Sequence, residues 1–217
     1  MRPPQRRAWE SQRHRYLVEV ERDETSTSVA AGRLLDLAAV FGREAPLIVE
    51  IGPGTGESLV PMAQQHRDAN LLAFEVYQPA LARVIGSLSA ADLEHVRVVE
   101  ADAVDGLSHL LPPESIDSLW MFFPDPWPKA RHHKRRILSP AFADLAASRL
   151  KPGASWRLAT DWGHYAGQMR GVLDAHPRFR NEHRGWAPRW SARPITRFEQ
   201  RGLDADRPVF DLTYRRV

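Results

Sequence analysis

Five apolar, β-rich runs recur along this chain: LIVEI (47–51), NLLAFEV (70–76), VRVVEA (96–101), SIDSLWMFF (115–123) and SWRLAT (155–160). Segments with helical spacing stand before, between and after them, at roughly 28–41, 57–67, 78–89, 139–150 and 163–175, the fourth opened by the cap-and-first-turn pair Ser139-Pro140. Strands that alternate with helices return in parallel, so the pattern predicts βαβ units and an α/β fold whose mostly parallel sheet is covered by helices on both faces. The final run PVFDLTYRRV alternates with a period of two and is expected to close the sheet as an antiparallel strand. With 217 residues and 43% hydrophobic content, the chain can bury one sizeable core. The expected organisation is a basic, weakly structured arm over residues 1–25 and one main domain over 26–217.

Composition removes several classes of function. The chain has no cysteine, so neither a disulfide framework nor a thiolate metal site is available, which fits a reducing cytoplasm. The start MRPPQRRAWESQRHRY is charged like a targeting segment, but no apolar stretch follows it, and no run is long enough to span a bilayer. A cytoplasmic protein without a membrane partner is expected. Charge is distributed unevenly: residues 1–16 carry +4, residues 129–136 carry +5 and residues 178–201 carry +5, so a net charge of +3 leaves −11 on the rest. An acidic body with basic patches points to a polyanionic partner, because phosphate binding depends on local cation clusters.

In sheets of this kind ligands bind beyond the carboxyl ends of the strands. Those ends carry Glu50, Glu75, Asp102, Asp125 and Asp161. Aspartates that cap helices would account for one or two of these, but not for the series. Gly52, Gly54 and Gly56 in VEIGPGTGES (49–58) allow a tight turn and close backbone approach, with Pro53 stiffening the loop. The spacing is not that of the dinucleotide fingerprint. Glu50, just ahead of the loop, would repel a pyrophosphate but suits the ammonium of an amino-acid-bearing cofactor such as S-adenosylmethionine. Glu75 is placed to accept from ribose hydroxyls, and Asp102 from an adenine amino group.

The stretch FFPDPWPKARHHKRR (122–136) sets three prolines and several rings around Asp125, then adds five cations with no acid. FPDPWPKARHHKRR, together with residues 49–58, 71–77 and 100–103, the DW at 161–162 and TRFEQRG at 196–202, closely resembles the bacterial tRNA (guanine-N7)-methyltransferases. The resemblance covers most of residues 47–202. It implies a seven-stranded, Rossmann-like class I methyltransferase domain, S-adenosylmethionine as cofactor and a guanosine in the tRNA variable loop as target. Glu50, Gly52, Glu75, Asp102 and Asp125 then match cofactor-binding positions, with Asp125 also the catalytic residue. Lys129, Asp161, Thr196, Arg197, Phe198 and Glu199 match substrate-contacting positions. Arg131, His132, His133, Lys134, Arg135 and Arg136 match an RNA-contacting segment. One departure concerns the region before the first helix, which is acidic and rich in serine and threonine (VEVERDETSTSVA) where many relatives carry a basic, glycine-containing motif with a glutamine.

The residues are compatible with that chemistry. Guanine N7 has an exposed lone pair, so attack on a methyl group needs no strong base; it needs in-line placement and stabilisation of the charge passed to the purine. Asp125 on a proline-stiffened elbow suits both tasks, and Trp127 or Phe123 could stack on an extracted base. Glu199 is expected to accept from guanine N1–H and N2–H and so to discriminate against adenine. His132 and His133 are adjacent and cannot easily share one face, which argues against a metal. Two other readings stay open: an exocyclic-amine methyltransferase, because PDPW is not far from D-P-P-[FYW] elbows, and a non-catalytic RNA-binding module with a retained cofactor pocket. The oligomeric state is not legible.

Overall fold

The computed structural model describes residue 1 and residues 3–217. Seven strands, β1 (Leu47–Ile51), β2 (Asn70–Glu75), β3 (Val96–Glu100), β4 (Ile116–Phe122), β5 (Leu150–Thr160), β6 (Phe179–Asn181) and β7 (Phe210–Arg216), form one sheet in the order β3-β2-β1-β4-β5-β7-β6. The chain divides into two compact units, Met1–Pro112 and Pro113–Val217.

In the first unit β1, β2 and β3 pair in parallel. Every residue of β1 is buried, as befits a strand covered on both faces. Helix α4 (Gln78–Ala90), with Pro79 in its first turn, buries Leu81, Val84, Ile85 and Leu88. Helix α2 spans only Leu37–Phe41, not the 28–41 expected, because Asp36 caps it by accepting from Ala39 N–H (3.0 Å) and Gly42 ends it at φ +68°. Residues 28–36 hold turns and coil.

The N-terminal segment departs from expectation. Residues 3–16, predicted to be part of a weakly structured arm, form helix α1 (Pro3–Tyr16), which packs on α4 where Ala8 meets Gly86. Tyr16 is fully buried and Leu17 bridges in parallel to Val98 of β3. The helix has prolines in its first turn and Arg13, His14 and Arg15 in its last, where cations suit the macrodipole. It lacks the apolar stripe by which a helix is recognised in sequence.

In the second unit β4 and β5 are parallel, while β7 runs antiparallel to both β5 and β6, as the closing strand was expected to do. The regular part of β5 matches the predicted run, but the strand begins five residues earlier. Ile116 pairs with Leu150 and Ser118 with Ser155, so residues 151–154 bulge outward around Gly153 (φ +83°). Helices α6 (Pro140–Arg149) and α7 (Gly163–Asp174) bury Phe142, Tyr165, Met169 and Leu173 in a core with Trp156 and Tyr214. Ser139 accepts from Phe142 N–H (3.2 Å) and starts α6 as predicted.

Candidate active site

In the first unit the chain leaves β1 through Gly52-Pro53-Gly54-Thr55-Gly56. Gly52 and Gly54 sit at φ +67° and +55° with open space where a Cβ would lie, so conformation rather than crowding demands glycine there. Glu75, at the end of β2, ties this loop to its own: Oε2 accepts from Gly54 N–H (3.0 Å) and Oε1 from Tyr77 N–H (2.9 Å). Asp102 caps helix α5 (Ala103–His109), where its Oδ1 accepts from Val104 N–H (2.8 Å).

Glu50 differs from these two. It is 2% exposed; Oε1 accepts from the Ser58 hydroxyl (2.8 Å), and Oε2 has no hydrogen-bond partner among the described residues. Burial pushes its carboxyl up to about 7, against the smaller downward pull of Ser58. Ser58 stands at the start of helix α3 (Leu59–Gln65) but makes no capping bond, its hydroxyl being directed to Glu50.

In the second unit the chain leaves β4 through the proline elbow. Phe123 and Trp127 hold φ of +51° and +41°, costly for large side chains, and Phe123 N–H donates to Ala159 O (2.7 Å). Between them Asp125 is exposed, and no hydrogen bond or ion pair among the described residues engages its carboxylate. A 3₁₀ turn (Ala130–Arg135) follows, with Lys129, Arg131, Lys134 and Arg135 exposed and Arg135 lying 4.8 Å from the Trp127 ring centroid. The adjacent histidines diverge: His132 meets Trp127 edge-on (5.8 Å), while His133 lies against His164 (4.7 Å). Among the described residues no group of three or more His, Cys, Asp or Glu could hold a metal, and no helix is long and apolar enough to cross a membrane.

Arg136 requires a correction. Expected to contact RNA with its neighbours, it is 4% exposed, and its guanidinium donates to Pro126 O, His164 Nδ1 and Gln168 Oε1. Glu199 requires another. Thr196 caps helix α8 (Arg197–Leu203) by accepting from Glu199 N–H (3.1 Å), and the Glu199 side chain is directed inward. Fully buried, Glu199 accepts from Arg189 (3.0 and 3.2 Å) and from Arg193 Nη1 (2.7 Å), so its oxygens are not presented to a base. Arg193, 1% exposed, also holds both oxygens of Asp211 (3.0 and 3.1 Å). Asp161 is likewise engaged, by Arg207 Nε at 2.8 Å. Phe198 is 50% exposed against Phe123, with ring centroids 5.4 Å apart, and Arg197 is exposed beside it.

Sequence reasoning missed the partners of these residues: Ser58, His164, Gln168, Arg189, Arg193 and Arg207. Each is an ordinary residue type, and only folding shows its role.

A family model described as "Putative methyltransferase" matches residues 44–212. Over the whole chain the sequence is 50% identical to a tRNA (guanine-N(7)-)-methyltransferase of Cutibacterium acnes, covering 80% of that protein. The chain belongs to the tRNA (guanine-N7)-methyltransferase family. A second member, from Nocardioides sp., is 47% identical over 99% of this chain and 82% of its own length. The fold also matches a crystal structure of a SAM-dependent methyltransferase from Aquifex aeolicus, with a TM-score of 0.55 at 13% identity over 85% of this chain and 91% of that one.

Proposed function

We propose that this chain moves the methyl group of S-adenosylmethionine to N7 of a guanosine in the tRNA variable loop, giving 7-methylguanosine in the cytoplasm. Family membership supports the reaction class. The single observation that supports the assignment of the reacting centre is Asp125, the one acid of the strand-end series that is exposed with no partner among the described residues.

The residues of the first unit fit S-adenosylmethionine by one test: the buried Glu50 oxygen that lacks a partner is the acceptor an ammonium group would satisfy. Glu75 and Asp102 keep lone pairs beyond those given to backbone N–H groups, suited to ribose hydroxyls and the adenine amino group. When bound, the cofactor supplies an electrophilic sulfonium methyl group. The protein need not remove a proton, because guanine N7 already carries its lone pair. Asp125 has to orient the base and offset the positive charge that develops on the purine, and a carboxylate on a strained, proline-flanked elbow does so with little reorganisation. Phe198, exposed against Phe123, offers a ring face to an extracted base. Lys129, Arg131, Lys134 and Arg135 offer solvent-facing cations to the phosphates. Thr196 and Arg197 complete the substrate side, with Glu199 shaping their helix from inside.

The test is nucleoside analysis of an unmodified tRNA transcript incubated with protein and methyl-labelled cofactor. Labelled 7-methylguanosine is expected. A nucleoside methylated on an exocyclic amine would instead support an amino-methyltransferase, and cofactor binding without product would support a binding module.

A further inference from the structure

We propose that Arg136 is a positioning residue for Asp125 and not an RNA contact. The inference rests on the reading of Asp125 as the group at the reacting centre.

The elbow cannot hold itself. Pro124, Pro126 and Pro128 have no N–H, so from 124 to 128 only Asp125 and Trp127 carry backbone donors. Carbonyls are the handles that remain, and Arg136 Nε donates to Pro126 O at 2.8 Å. That peptide joins Pro126 to Trp127, whose φ of +41° would relax without an external restraint. The other end of the guanidinium is fixed on α7, where Nη1 donates to His164 Nδ1 (2.9 Å) and Gln168 Oε1 (2.6 Å). Arginine has only donors, so His164 Nδ1 is the acceptor in this bond. Gln168 carries the chain of bonds on by donating to Leu138 O (3.1 Å), and the Tyr165 ring lies 4.8 Å from the guanidinium carbon. The elbow, the end of the 3₁₀ turn and α7 are thus fastened at one planar group.

Burial separates Arg136 from its neighbours in the cationic run. Nη2 is itself buried and without a partner among the described residues, and burial pulls the guanidinium pKa down, which is the reverse of a cation placed for phosphate. Lysine at this position keeps a charge but cannot span three acceptors in a plane.

Two measurements test this. The first is amide hydrogen exchange in Arg136→Lys at Phe123, His132 and Leu138, whose N–H groups donate to Ala159 O, Lys129 O and the Tyr165 hydroxyl around the elbow; exchange at least about tenfold faster than in the parent is expected there while residues 47–100 exchange as before. The second compares single-turnover methylation with tRNA affinity across a salt series. Arg136→Gln is expected to lose about 10–100-fold in rate at saturating tRNA through misplacement of Asp125, with the slope of log K against log salt unchanged. Arg135→Gln should flatten that slope by about 0.7–0.9. Parent-like exchange at the three amides, or a slope for Arg136→Gln as flat as that for Arg135→Gln, would overturn the proposal. Should the Arg136 variants fail to fold, Gln168→Met removes one acceptor and is judged on the same three amides, with faster exchange again expected. If the parent makes no 7-methylguanosine, the functional reading falls while the exchange result still decides the brace.

Discussion

Glu199 gives the sharpest test of how TRFE is used, because an exposed base-reading carboxylate and a buried structural one respond oppositely to substitution. Its oxygens take three hydrogen bonds, from Arg189 and Arg193, and Arg193 also pairs with Asp211 while only 1% exposed. Glu199→Ala leaves Arg193 buried with one counter-ion in place of two. Breaking such a pair by removing one partner costs about 3–5 kcal/mol. Arg189, whose side chain is 35% exposed, adds little, on the order of 0–1 kcal/mol. At about 2–4 °C per kcal/mol for a chain of this size, the midpoint of thermal unfolding should fall by about 6–20 °C. Glu199→Gln keeps one acceptor oxygen and should fall less, by about 1–3 kcal/mol. The assay is thermal unfolding of parent and both variants, together with single-turnover methylation of transcripts carrying guanine or adenine at the target. A Gln variant that melts with the parent yet loses discrimination between the two bases would refute the buried-network reasoning.

Asp125→Asn should lower single-turnover methylation on the order of 100-fold while tRNA affinity changes little, because shape survives and charge does not; equal losses in both would remove its role at the reacting centre. Glu75→Ala should weaken S-adenosylmethionine binding by about 1–3 kcal/mol in calorimetry, since the acceptor is lost and Gly54 N–H is left without its partner. Glu50 titrates near 7 when folded and near 4.5 when unfolded, so the folded protein holds the extra proton between those values. Its contribution to stability, about 3 kcal/mol, is therefore present below pH 4.5 and lost as pH rises through 7. An ammonium ligand favours the carboxylate, so cofactor affinity should rise by up to about tenfold per pH unit below 7 with release of one proton, and Glu50→Gln should abolish that dependence; calorimetry in buffers of differing ionisation enthalpy reads both.

The α/β order of the fold and the antiparallel closing strand were legible because strand runs and helical segments alternate over long, periodic stretches. The short helices α5 and α8 were not, although α3, equally short, fell within the expected 57–67 segment. α5 and α8 each have seven residues, too few to show a period, and are set by the caps Asp102 and Thr196. Helix α1 was missed because its support comes from α4 rather than from an apolar stripe of its own. Glu50 and Asp125 were legible as carboxylates at strand ends beside glycine or proline. What sequence could not tell was which charged residues point inward. Arg136 and Arg135 are chemically identical neighbours, and only the packing of α7 separates a buried brace from an exposed cation. Glu199 looked available for a base because Arg189 and Arg193, ten and six residues before it, gave no sign of converging on it.

The central claim is that the methyl group arrives at N7, and the cationic purine that results gives the most direct measurement. Methylation at N7 fixes a positive charge on the base and makes its glycosidic bond labile, so mild reduction followed by amine treatment cuts the RNA at that nucleotide. A tRNA transcript incubated with parent protein and S-adenosylmethionine should show one new cut at a guanosine of the variable loop. The cut should vanish when that guanosine is replaced by adenosine and fade with Asp125→Asn. Methyl label incorporated into the transcript without any cut would place the methyl group on another atom and contradict the account.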